Sequence, residues 1–199
     1  MTKPCIEFFF DIGSPYSYLA ATVINDVGER TGTPVRWCPF LLGGVFKASG
    51  NTMPGAVQSK GRWMLADLER WAVHYGVPFQ MSRHFPLNTL RTQRALVATK
   101  LLLGEEAVAP FAQALFEAYW VQDQDVSKES VIGGIAEGIG YDGSAILTGT
   151  FEQRTKDALR EMTDNAVGRG AFGAPTFFVG EAMFWGNDRL MLLEAMLSR

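Results

Sequence analysis

"FFFDIGSPYSYLA", residues 8–20, decides the fold. The run that leads into it, residues 5–10 (CIEFFF), is short, apolar and aromatic, as a buried strand requires. It stops at Asp11-Ile12-Gly13, and Ser14-Pro15 then reads as a helix start, with the serine hydroxyl capping free N–H groups and proline preset at the first helical position. Helical spacing continues over residues 16–30 (YSYLAATVINDVGER). Residues 34–42 (PVRWCPFLL) are strand-like again, with Pro39 marking an edge or a bend. The stretch is a β-α-β unit with a serine at its central turn.

Beyond Gly43-Gly44 the pattern changes. Residues 60–75, 90–103, 107–122, 127–139 and 151–168 carry apolar side chains at three- and four-residue steps, separated by Gly, Pro or polar breaks. Strand chemistry returns at residues 176–179 (TFFV). A Gly180-Glu181 turn follows, residues 183–185 form the second arm of a hairpin, and a last helix opens with Asn187 or Asp188 as its cap. The order β-α-β, helical insertion, β-β-α is that of a thioredoxin-like α/β fold interrupted by a large all-helical block. Residues 1–42 and 173–199 would form one domain and residues 43–172 the insertion. Neither end buries its apolar faces alone, so the terminal hairpin must return to the first unit.

Composition narrows the function. The 199 residues are 47% hydrophobic, with 18 Lys and Arg against 21 Asp and Glu, a net charge of −3. Such a chain presents no basic field for nucleic acid or an anionic membrane. Met1-Thr2-Lys3-Pro4 leads straight into an apolar run containing an acid, the pattern of a cytoplasmic protein with neither signal peptide nor membrane span. Cys5 and Cys38 are isolated and read as core filler. His74 and His84 lack the neighbours of a metal site, and none is expected. Trp63, Trp71, Phe111, Phe116, Tyr119 and Trp120 fall at helical spacings that suit most of them to core or subunit interface and some to the wall of an apolar acceptor pocket. Phe46, Phe85 and Phe172 flank the helical block, where they can wall a pocket for an aromatic substrate.

Thioredoxin-like redox proteins place C-x-x-C where this chain has Ser14-Pro15-Tyr16-Ser17, so disulfide exchange is excluded there. The same helix N-terminus still suits a thiolate, through its partial positive charge and unpaired donors, and Ser14 can donate a hydrogen bond to one. Ser17, one turn inside, reads as structural. Ala174-Pro175, immediately before a strand, is a favoured place for a cis bond.

"FFFDIGSPYSYLA", "SGNTMPGAVQSKGRWM" (residues 49–64) and "GAFGAPTFFVGEAMFWGNDRL" (residues 170–190) together resemble the glutathione-using branch of the DsbA-like family. That branch holds the kappa-class glutathione transferases and the 2-hydroxychromene-2-carboxylate isomerases. The resemblance implies glutathione as cofactor and a homodimer. It implies that Ser14 faces the glutathione sulfur and that the Ala174 backbone beside a cis Pro175 holds the cysteinyl part. It further implies that Asn187 and Asp188 meet the γ-glutamyl end, and Asn51 and Lys60 the glycyl end. The ending Phe-Trp-Gly-Asn-Asp-Arg-Leu favours an isomerase of aromatic, naphthalene-type catabolism that interconverts 2-hydroxychromene-2-carboxylate and trans-o-hydroxybenzylidenepyruvate. Lys47, Arg83 and Arg169 are candidate partners for the substrate carboxylate. The alternatives are a transferase that conjugates small electrophiles and a non-catalytic glutathione-binding module.

Overall fold

The computed structural model describes residues 5–198; the readings that concern Met1–Pro4 lie outside the described residues. The strands are β1 (Ile6–Phe10), β2 (Val35–Pro39), β3 (Thr176–Val179) and β4 (Ala182–Trp185), in the order β2-β1-β3-β4. β1 runs parallel to β2 and antiparallel to β3, with Phe8 opposite both Trp37 and Phe177. The thioredoxin-like reading therefore holds, and β2, which ends at Pro39, is an edge strand.

The sheet is buried on both faces, which is why β1 is nearly all apolar. Phe8 stacks on Phe177 with centroids 5.2 Å apart and meets Trp37 edge-on at 5.0 Å. That face packs on helices α1 (Pro15–Ala21), α2 (Ile24–Thr31) and, further along the chain, α6 (Val108–Trp120) and α10 (Leu190–Leu197). The other face, built from Phe9, Cys38 and Phe178, is covered by α3 (Leu42–Ser49) and α9 (Gln153–Gly168). Helices α4 (Gln58–Tyr75), α5 (Leu90–Leu103), α7 (Glu129–Gly138) and α8 (Gly143–Gly149) complete the block.

Four elements depart from the expected pattern. The helix expected over residues 16–30 breaks in two, because the Thr22 hydroxyl takes the Leu19 carbonyl at 2.7 Å and the β-branched Val23 leaves helical geometry. α3 forms across Gly43-Gly44, where no helix was expected, its first turn held by tertiary bonds described below. α8 was missed, although Asp142 caps it by accepting from the Ala145 N–H at 2.9 Å. The last helix begins at Leu190, after a 3₁₀ turn over Asn187–Arg189, and neither Asn187 nor Asp188 caps it. Buried Asn187 instead anchors to α4, its carbonyl accepting from the Tyr75 hydroxyl at 3.2 Å.

Candidate active site

Ser14 is the N-cap of α1 and is 4% exposed. Its Oγ accepts from the Ser17 N–H at 3.1 Å and donates to the Ala174 carbonyl at 3.1 Å, across 160 residues of chain. The Ala174–Pro175 bond is cis, as is Phe85–Pro86. The hydroxyl thus ties the first helix to the turn before β3. Ser17 is buried and its hydroxyl has no partner.

Asp11 fixes the loop that presents Ser14. It is 1% exposed; Oδ1 accepts from the Gly13 N–H at 2.9 Å and Oδ2 from the Leu42 N–H at 2.8 Å, the first turn of α3. Burial raises its pKa above the ordinary carboxylate range, while the two N–H groups and the Thr89 hydroxyl oppose the rise. Behind it, buried Gln93 donates to the Phe10 and Phe40 carbonyls, both at 2.8 Å, holding the ends of β1 and β2 together.

These groups open onto a cavity of about 650 Å³, within the size range of small-molecule sites. Of the residues named from the sequence for glutathione, Ser14, Asn51, Lys60, Ala174, Asn187 and Asp188 line it, while Pro175, the next residue after Ala174, does not. Phe46 and Phe85 are on its wall, and so are Trp63 and Trp71, from the aromatic set expected to be mostly core or interface with some members lining a pocket; Trp63 is 62% exposed. Phe172 is not a wall residue. It packs at a tilt against Trp185, which is, with centroids 4.7 Å apart.

The charged groups differ from those expected. Lys47, Arg83 and Arg169 do not line the cavity. Arg83 pairs with Asp123; Arg169 pairs with Glu7 at 2.8 Å and lies over the Phe178 ring. The cations present are Lys60 and Arg189, and Arg189 Nη1 meets Asp188 Oδ2 at 2.5 Å. Gly186 makes room for that carboxylate: at φ +101° it favours glycine, and a Cβ there would lie 2.5 Å from Asp188 Oδ1. Asn51 donates from Nδ2 to the Phe172 carbonyl at 2.8 Å.

Asp11, Tyr16 and Asp67 are among the polar cavity residues that sequence reasoning missed. The Tyr16 hydroxyl donates to Asp67 Oδ2 at 2.9 Å, and burial holds its pKa well above the ordinary tyrosine value, so it stays a donor. Their signal was present but ambiguous: Asp11 and Tyr16 flank Ser14, and Asp67 looks like any polar position on an amphipathic helix. Among the described residues no group of three or more His, Cys, Asp or Glu side chains is arranged to hold a metal ion. No described helix is long and apolar enough to cross a membrane.

A serine at the start of the first helix, hydrogen-bonded to the turn before β3 and lining a cavity, in a chain without a Cys-x-x-Cys pair, defines a thioredoxin-fold protein that lacks the dithiol motif. The family model described as the DSBA-like thioredoxin domain matches residues 5–198, and the chain belongs to that family. Within it, the chain is 35% identical to 2-hydroxychromene-2-carboxylate isomerase of Sphingobium xenophagum, over 99% of both chains. It is 29% identical to glutathione S-transferase kappa 1 of Rattus norvegicus, over 96% of this chain and 90% of that one. A solved structure of a 2-hydroxychromene-2-carboxylate isomerase superposes with a TM-score of 0.88 at 29% identity, covering 98% of this chain and 95% of that one. The chain is an enzyme of the isomerase class.

Proposed function

We propose that this enzyme is a glutathione-dependent isomerase that interconverts 2-hydroxychromene-2-carboxylate and trans-o-hydroxybenzylidenepyruvate. The observation that carries the reading is the Ser14 hydroxyl, set at a helix N-terminus against the Ala174 carbonyl and open to an apolar cavity. The donor set fits the tripeptide. Asp188 offers a carboxylate to the γ-glutamyl ammonium group, and Lys60 offers a cation to the terminal carboxylate beside Asn51. Bound glutathione supplies a thiolate that can add reversibly to a conjugated double bond.

The chain's own part is to hold that anion and orient the substrate. A hydroxyl has one donor proton, which Ser14 spends on the Ala174 carbonyl. Committing the proton to a sulfur instead releases that carbonyl to accept from a ligand N–H, while the Ser17 N–H still fixes Oγ. Phe46, Trp63 and Phe85 then present flat apolar surface to an aromatic ring. The same site supports conjugation of small electrophiles, a reading favoured by the similarity to the kappa-class transferase.

An ultraviolet assay of chromene isomerisation, with and without glutathione, tests the proposal. Turnover that requires glutathione without consuming it is the expected result. Binding with neither isomerisation nor conjugation of an aromatic halide would leave only a binding module. We further propose a homodimer, which equilibrium sedimentation tests.

A further inference from the structure

A second cavity, of about 370 Å³, lies on the far side of α3. The helix is a wall common to both: Leu42, Gly43 and Phe46 line the catalytic cavity, whereas Leu41, Gly44 and Ala48 line the second. The charged groups around the second cavity are Arg94 from α5, Lys156 and Arg160 from α9, and one carboxylate, Asp164. Among the described residues, none of the three cations takes part in an ion pair. Among the described residues, Arg94 Nε is buried with no acceptor, a costly state for a charged donor. Lys156 and Arg160 stand one helical turn apart, where like charges repel. Around them the lining is apolar, with Leu90, Leu159 and Val167.

We propose that this is a second ligand site, for a small carboxylate with an apolar body. Three cations against one acid favour an anion, and the apolar lining favours a ligand that brings surface to bury. The site is linked to the catalytic loop through the first turn of α3. There the Leu41 N–H donates to Thr163 Oγ1 on α9 at 3.0 Å, and the Leu42 N–H donates to Asp11 at 2.8 Å.

Benzoate titrated into the full chain and followed by residue-resolved amide NMR tests the assignment, with benzamide as the neutral control. We expect saturable shifts at Gly44, Arg160 and Thr163 with benzoate, and at least tenfold weaker binding in the double variant Lys156→Gln/Arg160→Gln, whose remaining amide spectrum reports its fold. Benzamide binding as tightly as benzoate would overturn the anion assignment. Benzoate shifts confined to the catalytic cavity, or unchanged affinity in a folded double variant, would overturn the site. None of these readouts depends on turnover.

Discussion

At the residue scale, Ser14 carries two tasks that can be separated by measurement. As N-cap it contributes about 1 kcal/mol, so Ser14→Ala should lower the urea midpoint only slightly. As hydrogen-bond donor it should depress the pKa of bound glutathione's thiol, each unit being worth about 1.36 kcal/mol. Titrating the thiolate absorbance of the complex should give a midpoint below that of free glutathione. The alanine variant should move the midpoint back up and lose turnover far more than affinity; equal midpoints would remove Ser14 from the chemistry. The cysteines make the complementary point. Burial pushes Cys38 up to about 12, and it raises Cys5 as well. In native protein at neutral pH, iodoacetamide should leave Cys38 unmodified, and mass spectrometry should find it alkylated only after unfolding. Rapid native modification of Cys38 would contradict its place under the sheet.

At the element scale, the loop between β1 and α1 depends on Asp11. Its raised native pKa means that the folded state keeps a proton which the unfolded chain, with an ordinary value of about 3.9, has already lost. Stability from this group is therefore fully present below the unfolded value and falls as pH rises towards the native one. Asp11→Asn removes the titration but turns an amide NH₂ towards a backbone donor, at a cost of about 1–3 kcal/mol. The urea-midpoint difference, wild type minus variant, should shrink with rising pH across that window, and a difference that grows would reverse the assignment. Gly28 offers a second test. Alanine there improves helix propensity, but its Cβ would lie 2.7 Å from Val35 Cγ2 and 2.9 Å from the Thr33 carbonyl oxygen. Gly28→Ala should destabilise by about 1–3 kcal/mol through overpacking in urea denaturation; a gain in stability would mean that α2 can move off β2. The sequence showed β1, β2 and the hairpin through short apolar runs between turn residues, and the long helices through their period. It concealed α3, because Gly43-Gly44 forbids a propensity argument and the helix is held instead by Asp11 and Thr163, partners far away in sequence.

At the scale of the whole molecule, six of the seven residues named from the sequence for glutathione line one cavity because the sheet brings β1 and β3 together. Their motifs were legible; the wall was not, since Trp63 and Trp71 have the helical spacing of core residues and only the packed structure tells a lined cavity from a filled one. The partners of the charged groups were equally hidden. A site made from both ends exists only in the folded chain, so glutathione should stabilise the entire molecule by mass action, by about 2.7 kcal/mol at a hundredfold excess over its dissociation constant. Differential scanning calorimetry should show the melting temperature rising with glutathione concentration, and an unmoved transition would argue against the cofactor.

The pairing of Phe8 with Phe177 has a further consequence, for the chain as it is made. On the ribosome β1 emerges well before its antiparallel neighbour β3, with the whole helical block synthesised between them. Until then one edge of an aromatic strand is open, a template for pairing with another nascent chain. Such long-range closure also makes for slow folding. The hydrogen bond from Ser14 to Ala174 therefore closes only after the β3–β4 hairpin has emerged, and a chain interrupted before that hairpin should be inactive as well as prone to aggregate.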